Sequence, residues 1–404
     1  MIPPHTNTLK KGRRTGSAAG APVLFCQFLP KSFTKKRLAA GGGVWYTALE
    51  PTAAPRRTPT QCKEEPLMEK TCLPLEHHRM LAKDIIPTLR RTDEPVDTHR
   101  ARCTAKLREL LGMDSFVRCA PSLTVTEDTA ENGVRRIHLT VETEPGYLAH
   151  ADLLLPENQS GPLPLCCCLQ GHSTGAHISL GIAKYPGDEA TIRGGDRDFA
   201  VRALAEGYAA LAIEQRAFGV CGGTEKGPAC AEPARTAVLL GRTLIGERVW
   251  DVSRVVDAVL EQYGAFVTME NSVLMGNSGG GTVTWYAACL EHRFAVYMPS
   301  CAVCTFRDSI MAMEHCPCNY VPGMMKWFDM GDMAAMIAPK KLVIVCGKDD
   351  PIFPLHGVLE TWETVKSLFA AVGTPDNCRL VIGQGSHRFY ADDAWPIAKE
   401  LLGK

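Results

Sequence analysis

The stretch Met275-Gly276-Asn277-Ser278-Gly279-Gly280-Gly281 decides how this chain reads. A short apolar run with Val273 and Leu274 precedes it, and an apolar segment over residues 283–290 follows. The order is strand, glycine-flanked serine, helix. A serine presented from a strand-to-helix turn sits in strained backbone angles, and its neighbours must be small for the two arms of the turn to approach. Gly276, Gly279 and Gly280 supply that room in a G-x-S-x-G pattern. Ser278 also falls at the start of the helix, where free N–H groups and the helix dipole favour developing negative charge. The same five residues also fit an ordinary glycine-rich turn, because short motifs match by chance. The surrounding chain has to decide between the two.

Working outward, residues 163–169 form a continuous apolar run, as expected for a strand buried on both faces of a parallel sheet. Further strand-like runs cover residues 208–213, 272–275, 294–298, 341–346 and 378–382. Helical segments separate them. Residues 198–206 end at Gly207, and Val249, Val252, Val256, Val259 and Tyr263 repeat with helical period. Val358, Leu359, Trp362, Val365, Phe369 and Val372 do the same before Gly373. Strands alternating with helices of this length predict an α/β fold with a doubly wound, mostly parallel sheet. Ahead of them, residues 134–142 and 147–155 read as two strands of an antiparallel start. Residues 98–111 read as a helix closed by Gly112. No internal repeat is present.

One connection is too long for a simple crossover. Residues 301–338 hold seven of the fourteen methionines, together with Tyr320, Trp327 and Phe328. This predicts a helical excursion between the sixth and seventh expected strands. It reads equally as a cover for the sheet or as a cap lining an acyl pocket.

The first 66 residues stand apart. They carry eleven Lys and Arg against three Glu, a net of +8 in a 404-residue chain whose formal charge is zero. Pro, Gly and Thr are scattered through them without period, which predicts disorder. A transit peptide fits the absence of acids before Glu50. The favoured expectation is that this segment is not part of the working protein, with Met68 or Met80 as the start. The predicted organisation is therefore a basic segment 1–67, a helical region 68–125 packing on the core, and an α/β domain 126–404 with a cap-like insertion at 301–338.

The zero net charge argues against nucleic acid or an anionic membrane as the main partner. No apolar run approaches the roughly 20 residues of a membrane span. Seventeen cysteines suggest a disulfide framework at first. However, Cys166, Cys167, Cys168, Cys289 and Cys346 lie in apolar runs, as small buried hydrophobes do in a reducing cytosol. A cytoplasmic location is expected. Cys301-x-x-Cys304 followed by His315, Cys316 and Cys318 hints at zinc, but the second half lacks clean ligand spacing, so no metal is assigned.

A serine hydroxyl is a weak nucleophile and needs a base held by a carboxylate. Two loops just past strand ends supply candidates, where function concentrates in open α/β sheets. Gly347-Lys348-Asp349-Asp350-Pro351 follows the strand at 341–346, and Gly383-Gln384-Gly385-Ser386-His387 follows the strand at 378–382. Of twelve histidines, only His387 follows the last strand in a loop opened by glycines.

Together, Ser278 in GNSGG, an aspartate in GKDDPIFP and His387 in GQGSH resemble the α/β-hydrolase superfamily. Within it the chain looks most like acetyl xylan esterases and dienelactone-hydrolase-like serine esterases, from about Leu107 onward. The resemblance implies a nucleophile–acid–base triad of Ser278, Asp350 and His387. Asp350 stands three residues after the strand-ending glycine, with Asp349 as the alternative. It also implies an oxyanion hole from the backbone N–H groups of Gly279 and His172. Gln170 stands where such hydrolases commonly have histidine, a departure that leaves a main-chain donor intact. Arg216, in a turn similar to D-x-R-G-x-G, is expected to organise loops. The implied activity is hydrolysis of a carboxylic ester, with a small acyl group on a sugar or other alcohol, without metal or organic cofactor. An amide hydrolase and a non-catalytic binding protein of the same fold are the alternatives.

Overall fold

The computed structural model describes residues 70–404 apart from Thr92, Pro121 and residues 224–226. The disorder expected over 1–67 lies outside the described residues. Among the described residues nine strands form one sheet: β1 (Ser122–Glu131), β2 (Val134–Glu144), β3 (Tyr147–Pro156), β4 (Leu163–Leu169), β5 (Ala209–Ile213), β6 (Val267–Asn277), β7 (Val296–Ser300), β8 (Lys341–Gly347) and β9 (Cys378–Gly383). Their spatial order is β1-β2-β3-β5-β4-β6-β7-β8-β9. The first three strands and the β3–β5 pair are antiparallel. From β5 onward every pair is parallel. This is the doubly wound, mostly parallel sheet with an antiparallel start that the sequence predicts.

β1 is the strand the sequence reading missed. It shifts the insertion to the interval between β7 and β8, the seventh and eighth strands. It also draws residues 122–125 out of the helical region and into the sheet. Nearly all its residues are exposed, so no apolar face announces it. Helices α1 (Pro74–Lys83) and α2 (Val96–Leu111) precede it. Gly112 closes α2 with φ 73°, where an L-residue would be strained.

The remaining helices are α3 (Asp188–Gly195), α4 (Phe199–Ala205), α5 (Ala231–Leu239), α6 (Leu244–Tyr263), α7 (Gly279–Leu290), α8 (Met324–Trp327), α9 (Ala334–Ile337), α10 (Leu355–Ala371) and α11 (Ala391–Leu402). Thr243 caps α6, its hydroxyl accepting the Gly246 amide at 3.1 Å. One face of the sheet carries the larger core, built with α2, α6, α7 and α10. The other carries a smaller core with α4 and α11. Cys167 points into the first while Cys166 and Cys168 point into the second, the alternation a strand imposes.

The 301–338 insertion is mostly irregular chain with four-residue helices. Met330, Met333 and Met336 are buried in the larger core, where their segments pack against α2, α7 and α10. These three methionines therefore cover the sheet.

Candidate active site

Ser278 immediately precedes α7 with φ 56° and ψ −123°, a conformation held only when the surroundings over-determine it. They do so here. The Ser278 amide donates to the Ser300 carbonyl at 2.8 Å, and the Ser278 carbonyl accepts the Thr282 amide at 2.8 Å. The glycines are required sterically. A Cβ on Gly276 would stand 2.5 Å from the Gly280 carbonyl, and one on Gly280 would overlap the Leu169 carbonyl. The turn is therefore a backbone crossing with no room for side chains.

Strand register brings the other loops to the same edge. Gly276 of β6 lies opposite Leu169 of β4, Asn277 opposite Ser300 of β7, Ser300 opposite Val345 of β8, and Gly347 opposite Gly383 of β9. The loops carrying Gln170–His172, Ser278, Asp350 and His387 thus leave the carboxyl ends of neighbouring strands. β4 is flanked by β5 on one side and β6 on the other, so the chain reverses direction across the sheet at the β4/β6 boundary. Such a switch point opens a crevice.

Asp350 and His387 meet directly. His387 Nδ1 lies 2.8 Å from Asp350 Oδ2, while Asp350 Oδ1 accepts the Ile352 and Phe353 amides at 2.8 and 3.1 Å. Burial raises the Asp350 carboxyl, but the His387 hydrogen bond, the charge of that ring and the two amides outweigh it and hold the carboxyl below its ordinary value. Asp349 is exposed and donates its amide to Gly385 O at 2.8 Å. The Phe353 ring lies nearly parallel to the His387 imidazole, centroids 6.0 Å apart.

Ser278 Oγ and His387 are not hydrogen bonded to each other. They are joined through short links: Ser278 bonds Ser300, and the Sγ of the adjoining Cys301 lies within 4.8 Å of ligand atoms of Asp350 and His387. Nucleophile–base contacts are commonly loose without substrate.

The Gln170–His172 loop passes against Ser278. A Cβ on Gly171 would come within 2.7 Å of Asn277 O and 2.9 Å of Ser278 Cβ. Gln170 is buried and donates to Ser179 Oγ at 2.8 Å and Arg197 O at 2.6 Å, so its side chain braces the loop. Among the described residues neither the His172 nor the Gly279 backbone N–H donates a hydrogen bond, and the Gly279 donor is one of the orphans of the first helical turn. The His172 ring packs over Gly279, where a Cβ would lie 2.8 Å from Nδ1 and Cε1.

Arg197 was not singled out from the sequence, and it borders Ser278. Its Nη1 would be 3.2 Å from the same Gly171 Cβ that approaches Ser278. The side chain is buried, Nε has no hydrogen-bond partner, and no carboxylate among the described residues pairs with it. Nothing local in its sequence distinguishes it from a surface arginine. Arg216, by contrast, is fully engaged. It bonds Asp251 at 2.7 and 2.9 Å and Glu144 at 3.0 Å, and stacks over Tyr147, which ties the β5 loop to α6.

The cysteines regroup. Cys301 Sγ donates to Arg388 O at 3.1 Å, and Cys304 Sγ faces Pro354 O at 3.8 Å. Neither joins Cys316 and Cys318, which meet His172 and Cys230 instead. Burial lowers the His172 imidazole while hydrogen bonds with Cys230 and Cys318 lift it, to about 9.

No family model matches the chain. It is 26% identical over 271 residues to "Putative hydrolase YtaP" of Bacillus subtilis, a match spanning 65% of this chain and 84% of that protein. Among solved structures, a "putative acetyl xylan esterase" from Bacteroides fragilis superposes with a TM-score of 0.64 at 16% identity, covering 78% of this chain and 83% of the other. A glucuronoyl esterase from Solibacter usitatus superposes with a TM-score of 0.57 at 16% identity, covering 79% and 99%. The fold is that of the α/β-hydrolases.

Proposed function

We propose that the protein is a serine esterase acting through an acyl-enzyme on Ser278. The observation that carries this reading is the Asp350–His387 pair, at the same sheet edge as a serine held in a strained turn beside the Gln170–His172 loop. In the reading, neutral His387 takes the Ser278 proton as Oγ attacks the ester carbonyl. Asp350 holds the ring in the tautomer with a proton on Nδ1 and stabilises the imidazolium. The Gly279 and His172 N–H groups receive the oxyanion, each contributing about 3 kcal/mol, and the unpaired Arg197 guanidinium adds positive potential. The protonated ring passes its proton to the leaving alcohol, and water deacylates the enzyme through the same base.

The proposed substrates are short-acyl esters of sugars or other small alcohols, in keeping with what the structurally similar putative acetyl xylan esterase is named for. A cytoplasmic location is part of this reading, because Cys166, Cys167, Cys168, Cys289 and Cys346 are buried as small hydrophobes. Among the described residues no helix is long and apolar enough to cross a membrane. Fluorophosphonate labelling tests the reading: the wild type should label and Ser278→Ala should not. Equal labelling of both would overturn it. A series of p-nitrophenyl esters should favour acetyl over octanoyl.

A further inference from the structure

Four side chains from three separate parts of the chain converge behind the oxyanion loop. His172 comes from the loop after β4, Cys230 from the residue preceding α5, and Cys316 and Cys318 from the insertion between β7 and β8. Their ligand atoms all lie within 4.8 Å of one another. His172 Nε2 is 3.2 Å from Cys318 Sγ, and Cys318 Sγ is 3.3 Å from Cys316 Sγ. A tetrahedral zinc ion with Zn–S near 2.3 Å and Zn–N near 2.0 Å holds its ligands roughly 3.5–3.8 Å apart, a spacing this cluster reaches with small adjustments. None of the three sulfurs is in a disulfide.

A second feature points the same way. Arg248 is 1% exposed, yet no carboxylate among the described residues pairs with it. Its Nη2 donates to Cys230 Sγ at 3.2 Å, and its Nη1 has no hydrogen-bond partner. A buried guanidinium needs a counter-charge. A divalent cation with three thiolates and a neutral imidazole carries a net charge of −1, and Arg248 brings the assembly to neutrality.

We propose that His172, Cys230, Cys316 and Cys318 form a tetrahedral site for a zinc-type divalent cation, with Arg248 as its buried counter-charge. Three thiolates and one imidazole are the donor set that selects zinc among common divalent ions. Binding forms three metal–sulfur bonds and one metal–nitrogen bond, and the protons of the three thiols leave to solvent. The cation ties the insertion to the β4 loop. With Nε2 on the metal, the His172 proton resides on Nδ1, the nitrogen packed against Gly279, so the ion also fixes the ring that braces the nucleophile turn. His172 is then a positioning residue through its side chain, separate from the role proposed for its amide.

The test uses the full chain purified without chelator from zinc-supplemented cells. Elemental analysis should give about one zinc per chain, and cobalt reconstitution should produce thiolate-to-metal charge transfer with intense tetrahedral d–d bands. Cys230→Ser and Cys318→Ser should lower the metal content about tenfold, whereas Cys289→Ala, outside the cluster, should leave it unchanged. Ser278→Ala should keep the metal while losing ester hydrolysis, so this proposal and the esterase reading fail separately. Should the cysteine variants not fold, the wild-type metal content and cobalt spectrum decide alone. Wild type with less than about a tenth of an equivalent of metal and no cobalt bands overturns the proposal. So does unreduced protein whose mass shows a disulfide within Cys230, Cys316 and Cys318.

Discussion

Asp350 divides its two oxygens, Oδ2 facing His387 Nδ1 at 2.8 Å and Oδ1 taking two backbone amides of its own loop. The carboxylate is thus fixed by the main chain before it orients the imidazole. Asp350→Ala is expected to lower kcat by about 10³–10⁴-fold with a small change in KM, because the ring loses its tautomer and its counter-charge. Asp349→Ala, at an exposed position, should stay within about threefold of wild type. Steady-state kinetics on p-nitrophenyl acetate would check this; the reverse ranking would move the acid to Asp349.

Ser278 pays for its position with strain. Replacing it with glycine, which tolerates φ 56° and ψ −123° freely, should raise stability by about 1–2 kcal/mol while abolishing ester hydrolysis. Urea midpoints of wild type and Ser278→Gly measure the first effect. A destabilised glycine variant would mean that the hydroxyl contributes more than the backbone costs.

Glu214 sits under the β4 loop and accepts the Ala176 amide at 3.0 Å. Burial pushes its carboxyl up to about 7 against that hydrogen bond. The folded state therefore binds a proton that the unfolded chain has released above about pH 4.5. Stability from this group is complete below the unfolded value and is lost as pH rises through 7, by at most about 3 kcal/mol. Glu214→Gln should flatten the fall in urea midpoint between about pH 5 and 8. An unchanged pH slope in that variant would assign the dependence to other groups.

Arg197 is a buried cation beside Ser278, with no carboxylate partner among the described residues. Arg197→Met should keep or raise the melting temperature, since an unpaired buried charge is costly. It should lower kcat/KM by roughly 10–100-fold through loss of positive potential at the oxyanion. Unchanged turnover would remove Arg197 from the site.

The sheet, its antiparallel start and the strand–serine–helix turn were legible because each leaves a periodic or steric mark. A run such as Leu163–Leu169 has one buried interpretation, and Gly276 and Gly280 can be nothing larger. β1 was missed because its residues are exposed and carry no apolar face, yet a signal was present. Asn132-Gly133, with φ of 53° and 79°, is the turn pair that joins it to β2. Cys316 and Cys318 drew attention as possible ligands, but their neighbours His172 and Cys230 come from distant loops that no local spacing links. Arg197 is hidden for the same reason: its isolation is a property of the packed fold.

The alternation of Cys167 and its neighbours Cys166 and Cys168 between the two cores gives the molecule a built-in reporter. Adjacent thiols on one strand are sealed by different layers of helices, so an alkylating reagent reaches each only when its own layer lifts. Pulsed alkylation followed by peptide mapping would therefore time the opening of the two sides of the sheet independently. Equal rates would mean that the protein unfolds as a single cooperative unit; a faster Cys166 and Cys168 would mean that the thinner layer of α4 and α11 peels away first.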